Sequence, residues 1–368
     1  LSDTLELSVT FGGWVQPPAW PAPSGSLITW TGVVTDLAPV TLLVFTATQE
    51  ADYGAVITNT AEFGGKSAQT GSAAAAFQVE PPPVCFATLD GITFYASTDA
   101  AAVQQAVDDA NPGDTVKIAG TCAKTHGGET PIASISQAIT VAGGYAKDGW
   151  TTSYPITQPT TLDALAIGRV IFATADITLA DLTIQNGNST DTGGGIYADN
   201  AATLTNVNIL NNIAPVGGGA YADGSMTLIG GRVQGNRSPS GSGGGLYSFD
   251  ALTLSNVTVV SNTAPSDGGG AWAFGAVTLI GGLFQNNICT DTDCYGGGLS
   301  ALDALTLTDT QFISNTAALG GGLYQDGVSD GRLVNALFAR NIAGANGAAL
   351  YLAAAGTVDI VHATVAGP

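Results

Sequence analysis

The chain has 368 residues, of which 45% are apolar, 10% are charged and 50 are glycine. This composition excludes a disordered chain, because disorder requires low hydrophobicity together with high charge. No run reaches the roughly 20 apolar residues that span a bilayer, so no membrane span is predicted. The net charge of −20 repels phosphate backbones and argues against nucleic acid as a partner. The Thr, Val and Leu content indicates β structure.

Residues 1–80 predict a small β-sandwich, because apolar and polar residues alternate between turn signals. DTLE at 3–6, WTG at 30–32 and TNTA at 58–61 resemble the C-terminal half of an immunoglobulin-like repeat of bacterial surface proteins. The strands that precede the first of these motifs in such a repeat are missing, so the sandwich is expected to be partial. EPPPV follows, and we place a stiff Pro-rich linker at residues 81–84.

Residues 97–112 carry the pattern of a short amphipathic helix. N-cap candidates stand at 97–99, and the helix is expected to stop at the Pro-Gly pair 112–113. Its apolar stripe is Ala102, Val103, Ala106 and Val107. We expect this helix to cap the first coil of the domain that follows, since an uncovered sheet edge invites pairing with other chains.

A repeat of about 26 residues occupies the rest of the chain. Glycine triplets, or their remnants, recur at intervals of 24 to 28 residues, beginning at Gly193, Gly217, Gly243, Gly268, Gly296, Gly320 and Gly347. A leucine follows most triplets by 11 residues, at Leu204, Leu228, Leu254, Leu279 and Leu307. An asparagine ends each unit, at Asn212, Asn236, Asn262, Asn287, Asn315 and Asn341. Most of the length variation therefore lies between the asparagine and the next triplet.

Each repeat has room for short strands and a loop but not for a helix. Segments such as TLTNVNI and TLSNVTV alternate apolar with small polar residues, as half-buried strands do. Such a unit is one coil of a β-helix, which buries its inner face by stacking on its neighbours. We therefore predict an all-β fold in which residues 85–368 form a parallel β-helix of about ten coils. The asparagines are predicted to form a hydrogen-bonded structural ladder at one corner.

The repeat motifs carry a family resemblance. GRVIFATADITLADLTIQNG, the GGG-apolar triplets and the apolar-x-x-Asn endings VQGN, VVSN, FISN and FARN resemble bacterial secreted right-handed parallel β-helix proteins. They also resemble the repeats of polymorphic outer-membrane adhesins. The resemblance implies a right-handed β-helix and an extracellular or cell-surface location. It leaves function open, because these families contain adhesins, stalks and polysaccharide enzymes.

The four cysteines are Cys85, Cys122, Cys289 and Cys294. An even number that divides into two close pairs favours the disulfides Cys85–Cys122 and Cys289–Cys294 in an oxidising compartment. The alternative, a zinc site, requires CxxC-type spacing and a second pair of ligands nearby. The two histidines, His126 and His362, do not supply that pair.

Aromatic residues recur one position after an inward apolar residue, at Tyr197, Tyr221, Tyr247, Trp272, Tyr324 and Tyr351, with a gap at Ser300. Alternation places them on the outer face as a ladder. Two interpretations stay open: the rings stabilise the sheet by stacking, or they form a contact strip for sugars or another protein. Aspartates follow in most coils and are interpreted as turn residues. Asp291 and Asp293 are weak candidates for a Ca²⁺ site, and no other cofactor is predicted.

We find no pectinase-like signature, and the sequence predicts no catalytic residue. Both ends of the chain look unfinished, which predicts either end-to-end or strand-addition assembly with copies of itself, or a fragment of a longer surface protein. The predicted function is a non-catalytic extracellular structural or adhesive protein, either a stalk or a subunit of a surface filament. The alternative is a β-helix that binds or degrades carbohydrate, with cell-surface glycans as partners.

Overall fold

A computed structural model describes residues 84–123, 131–326, 330–353 and 356–367, and six strands before residue 83. The chain divides into two compact units, Leu1–Pro82 and Pro83–Pro368. The predicted linker at 81–84, except for its last residue, lies outside the described residues. So do the WTG segment at 30–32 and His126.

The described strands of the first unit form two antiparallel sheets. Its strands, β1 to β6 in chain order, are Ser2–Thr4, Val9–Gln16, Leu27–Thr29, Val44–Gln49, Val56–Gly64 and Thr70–Gln78. One sheet has the order β3-β1-β5-β6, and the other pairs β2 with β4. The immunoglobulin-like assignment stays a prediction.

The second unit begins with a small antiparallel sheet and one helix. Its elements are β7 (Cys85–Leu89), β8 (Thr93–Ser97), α1 (Ala101–Asp108) and β9 (Thr115–Ala123). Strand β7 pairs antiparallel with both β8 and β9. Helix α1 lies within the predicted segment and contacts these strands through its four buried residues, Ala102, Val103, Ala106 and Val107. Its role as a cap stays a prediction.

The rest of the second unit is a parallel β-helix with three long sheets. Sheet A has nine strands, Ala133–Ile135, Ile171–Ala173, Ile196–Ala198, Ala220–Ala222, Leu246–Ser248, Ala271–Ala273, Leu299–Ala301, Leu323–Gln325 and Leu350–Leu352. Sheet B follows sheet A within each coil and consists of Ile139–Ala142, Ile177–Ala180, Ala202–Thr205, Met226–Ile229, Leu252–Ser255, Val277–Ile280, Leu305–Thr308, Gly331–Val334 and Val358–Val361.

Sheet C follows sheet B and consists of Thr160–Asp163, Leu182–Gln185, Asn208–Leu210, Arg232–Gln234, Thr258–Val260, Leu283–Gln285, Gln311–Ile313, Leu337–Ala339 and Thr364–Ala366. Strand β9 is long enough to pair with the first strand of both sheet B and sheet C. A short fourth sheet, sheet D, joins Thr263–Ala264, Ile288–Cys289, Thr316–Leu319 and Ile342–Asn346 near the loops.

The predicted fold class, an all-β parallel β-helix, is confirmed, and the predicted leucines lie in one interior column. Leu204 pairs in register with Leu228, which pairs with Leu254, and the column continues to Leu333 with every member at most 2% exposed. The β-helix has about nine turns instead of ten, because residues 85–97 form an antiparallel hairpin and residues 143–159 lengthen the first turn. The right-handed sense stays a prediction.

Two corners of each coil use the left-handed backbone conformation. Between sheets B and C, φ at this position lies between +52° and +66°. The residues there are Asp181, Asn206, Gly230, Asn256, Gly281, Asp309, Asn335 and His362. The second position is Asn186, which precedes Gly187, and in the later coils the residue directly before each ladder asparagine: Asn211, Gly235, Ser261, Asn286, Ser314 and Arg340. Glycine, Asn and Asp tolerate this conformation best, which explains why most positions in both series are one of these three residues.

The glycine triplets are required by the closeness of stacked coils. The first glycine of each triplet is left-handed, for example Gly243 at φ +69°. The third has ordinary φ but no space, since a Cβ on Gly245 would lie 2.5 Å from the carbonyl oxygen of Gly270 in the next coil. The triplet is therefore the place where backbone meets backbone between coils.

We expect Gly245→Ala to destabilise the β-helix by about 3 kcal/mol, because backbone atoms of two coils would have to separate. Gly344→Ala is the matched control, since the nearest atom to its Cβ is 3.8 Å away. Urea unfolding followed by circular dichroism measures both. Equal unfolding midpoints for the two variants would contradict this account of the triplet.

Candidate functional site: side-chain ladders along the β-helix

The six predicted asparagines form a continuous buried ladder, with none more than 4% exposed. The side-chain Nδ2 of Asn236 donates to Oδ1 of Asn262 at 3.0 Å in the next coil and to the carbonyl of Ile209 at 2.8 Å in the preceding one. The backbone N–H of Asn236 donates to the same Oδ1 at 3.0 Å. This arrangement repeats from Asn212 to Asn315, so each of these residues joins three successive coils.

The ladder satisfies the hydrogen-bonding groups that it buries. In each asparagine from Asn236 to Asn315, both side-chain amide hydrogens are donated. Its Oδ1 accepts two hydrogen bonds from the ladder asparagine of the preceding coil. Buried polar groups cost free energy only when they lack partners. The ladder therefore stabilises the corner and also fixes the register, because a shifted coil would leave several of these groups unpaired at once.

The aromatic residues form a stack on the outer face of sheet A. From Phe172 through Tyr197, Tyr221 and Tyr247 to Trp272, neighbouring ring centroids are 4.2 to 5.5 Å apart and the planes differ by 2° to 16°. Stacking at this distance covers the ring faces, and Trp272 is only 8% exposed. The rings therefore present mainly their edges to solvent.

Two members of the stack were missed by the sequence analysis. Phe172 pairs in register with Tyr197, and the segment IFA matches IYA one coil later, which was the available signal. Tyr295 lies just before the glycine triplet of the coil in which Ser300 replaces the aromatic residue. The centroid of its ring is 4.6 Å from that of Tyr324, and the two rings are stacked. Nothing in the periodicity indicates that contact. Tyr324 then stacks on Tyr351 at 5.6 Å.

Aspartates at the corner between sheets A and B accept hydrogen bonds from tyrosines of the aromatic stack. The hydroxyl of Tyr197 donates to Asp199 at 2.5 Å, and that of Tyr221 donates to Asp223 at 2.6 Å. The bond to Asp199 raises the pKa of Tyr197, and burial followed by the bond to Asp223 raises the pKa of Tyr221. These aspartates therefore bind tyrosines of the aromatic stack, in addition to the turn role predicted for them.

Arg169 lies beside the first two rings of the stack. Its guanidinium lies 5.4 Å from the Phe172 ring centroid and 4.9 Å from that of Tyr197. It also donates to the carbonyls of Gly193 at 2.8 Å and Thr192 at 2.5 Å. Cation–π contacts of this kind stabilise by about 0.5–2 kcal/mol, so Arg169 holds the first rings against the loop before the triplet.

Both predicted disulfides are present. Cys85–Cys122 joins β7 to β9 across 37 residues of sequence, with a Cα–Cα distance of 4.7 Å. Cys289–Cys294 closes a five-residue span in the longest of the segments between a ladder asparagine and the next triplet, and both cysteines are buried in a small cluster with Ala317 and Ala318. The zinc alternative is therefore wrong for these cysteines.

Asp291 and Asp293, the weak Ca²⁺ candidates, lie exposed in the disulfide loop. Near them, burial raises the pKa of the Asp267 carboxyl, and Asp293 adds to the effect. Across the described ranges, no three acidic, cysteine or histidine side chains gather closely enough to hold a metal ion. The Ca²⁺ hypothesis stays a prediction without a supporting cluster.

No protein-family model, curated protein or solved structure matches this chain. The fold places the protein in the class of parallel β-helices, and the family resemblance stays a prediction. In the described part of the chain, helix α1 has eight residues, and no helix there is long and apolar enough to cross a bilayer.

We expect Asn262→Ala to lower the free energy of unfolding by at least ~3 kcal/mol, because Asn236 loses the acceptor of two bonds and the Val233 carbonyl loses its donor. Asn208→Ala is the control, since Asn208 is a partly exposed strand residue of sheet C. Chemical unfolding of both variants tests the ladder. A loss no larger than that of the control would contradict it.

Alkaline pH is expected to destabilise the aromatic stack. Burial and the neighbouring Asp326 raise the pKa of Tyr324 from 10.0 to about 12. Below pH 10 the folded and unfolded chains both keep this proton, whereas above it the unfolded chain loses the proton first. The free energy of unfolding therefore falls as the pH rises from 10 to 12. Urea unfolding across this range should show a shallower fall for Tyr324→Phe, and an unchanged slope would contradict the assignment.

Proposed function

We propose that this protein is a non-catalytic structural or adhesive protein of the cell exterior, with the β-helix as a stiff stalk or as the subunit of a surface filament. The observation that carries the proposal is the unbroken asparagine ladder from Asn212 to Asn341. It joins each coil to its neighbours, so bending or separating the coils would break buried hydrogen bonds. A column built this way resists deformation, which is what a spacer requires.

An extracellular location is part of the proposal. Disulfides persist in oxidising compartments and are rare in the cytosol. Cys85–Cys122 and Cys289–Cys294 are both formed, and the described residues contain no free cysteine. The family resemblance of the repeats points to the same location. Immunogold electron microscopy of native cells with an antibody against this chain tests it, and label confined to the cell interior would overturn it.

The carbohydrate-binding alternative receives less support from the aromatic stack. A sugar ring packs on an open aromatic face, but the faces from Phe172 to Trp272 are covered by each other. The aspartates beside the stack, Asp199 and Asp223, accept bonds from tyrosines. Hydrolysis of polysaccharides needs two free carboxyl groups, one as general acid and the other as general base or nucleophile.

We expect Tyr221→Ala and Trp272→Ala to lower the unfolding midpoint while glycan-array signals stay at background for wild type and both variants. Stacked aromatic pairs contribute about 0.5–1.5 kcal/mol beyond their burial, so each loss is measurable. Incubation with a polysaccharide panel should release no reducing ends or unsaturated products. Glycan binding by wild type that either substitution abolishes would overturn the proposal in favour of the carbohydrate alternative.

A further inference from the structure

The corner between sheets A and B carries an apolar patch in three successive coils. The first residue after each sheet A strand lies over its counterpart, because its N–H donates to the last carbonyl of the strand in the preceding coil. This position is polar in most coils, as turn positions usually are. Along the column it is Thr174, Asp199, Asp223, Phe249, Phe274, Leu302 and Asp326. We call Phe249, Phe274 and Leu302 the corner patch.

The two rings of the corner patch are open to solvent. Phe249 is 50% exposed and Phe274 is 52% exposed, and their ring centroids lie 5.1 Å apart with the planes 7° from parallel. In the described part of the chain, no other stacked pair has both rings exposed. Trp272, which is 6.3 Å from Phe274, is only 8% exposed, so stacking on this β-helix does not require open rings. Exposed apolar side chains grouped at a turn indicate a contact site.

The surroundings of the corner patch are acidic. Asp223 precedes the patch in the column and Asp326 follows it, and Asp250 and Asp303 are the next residues along two of its coils. No lysine, arginine or histidine lies between residues 237 and 332, whereas this stretch contains eight aspartates. Such a surface attracts a basic partner and repels an acidic one, including a second copy of this chain with its net charge of −20.

The corner patch suits an aliphatic side chain better than a sugar. Each phenylalanine ring covers one face of the other, and neighbouring coils lie on the opposite sides of the pair. A sugar ring packs on an open aromatic face. Burial of aliphatic groups is non-directional, so a leucine-like side chain can pack against the exposed ring edges.

The spacing of the coils sets the length of the partner. With coils ~4.8 Å apart, Asp223 and Asp326 lie about 19 Å apart along the column, with the corner patch between them. An extended segment advances about 3.3 Å per residue and turns alternate side chains to the same side. A segment of about seven residues therefore spans the two aspartates. Its first and last side chains face the carboxylates, and its third and fifth face the patch.

We propose that the corner patch docks an extended basic segment of another protein, with aliphatic side chains at its third and fifth positions and Lys or Arg at both ends. The inference rests on the proposed adhesive role and names the chemistry of the partner. Aromatic anchors carry most of the binding energy of such contacts. The carboxylates around them attract the partner and fix its register.

A synthetic peptide tests the contact. The probe is dye-labelled Lys-Ser-Leu-Ser-Leu-Ser-Lys with blocked ends, and fluorescence anisotropy with the full chain measures its dissociation constant. The control peptide, Lys-Leu-Ser-Ser-Ser-Leu-Lys, has the same composition and charge but turns its leucines to the opposite side. We expect wild type to bind the probe at least ~fivefold more tightly than the control peptide. Added salt should weaken the binding, because it screens the carboxylates.

Phe249→Asp separates the corner patch from the overall charge. The two preceding coils already carry Asp199 and Asp223 at this position, so the fold should tolerate the change, and circular dichroism verifies this. The added negative charge alone would tighten the binding of a basic peptide, whereas loss of the ring should weaken it at least ~fivefold. Ile288→Asp is the matched control, because it adds the same charge at a residue of sheet D that is 41% exposed. It should bind the probe at least as tightly as wild type.

Four results would overturn the proposal. Equal dissociation constants of wild type for the two peptides would reduce the attraction to net charge, and so would equal binding of the probe by wild type and Phe249→Asp. Failure of wild type to bind the probe would also overturn it, while the stalk role, which rests on the asparagine ladder, would stay intact. Binding of a glycan by wild type that Phe249→Asp abolishes would assign the corner patch to sugars instead.

Discussion

Contact between the backbones of successive coils is the constraint on which this structure depends. Where the glycine triplets stack, carbonyl oxygens of the next coil lie closer than 3 Å to where a side chain would begin. At the neighbouring corner, an asparagine amide of one coil completes the hydrogen bonds of the next. A coil can change neither feature without disturbing both neighbours. The same residues therefore recur at the same positions along the β-helix.

This constraint divides each coil into a fixed part and a free part. The strands, the left-handed corners and the asparagines are fixed by their neighbours. The segment between the asparagine and the next triplet is held only in part, by the short strands of sheet D, and it carries most of the variation in repeat length and the Cys289–Cys294 disulfide. The outward faces are also free of the constraint, so their composition reports on what surrounds the β-helix.

Much of the β-helix could be predicted from the sequence because its contacts repeat with the coil. Leu228 and Asn236 each contact the same residue type in the neighbouring coils. Residues that recur with the period of the sequence are therefore stacked in columns along the β-helix. Contacts that break the period could not be found in this way. Tyr295 contacts Tyr324 from a loop, Arg169 lies beside Phe172 and Tyr197 from outside the repeat, and residues 143–159 lengthen one turn. The left-handed corners were also missed, since Asn, Asp, Gly and Ser exchange there and no single letter marks the position.

The central claim is that the asparagine corners are buried, hydrogen-bonded joints between coils. Residue-resolved hydrogen exchange of the backbone amides tests it most directly, because the N–H groups of Asn212, Asn236, Asn262, Asn287 and Asn315 each donate to an asparagine side chain of the next coil. The account predicts that these amides are as strongly protected as those of the interior leucines in sheet B. Exchange of the asparagine amides at the rate of the surface loops, with the leucines still protected, would contradict it.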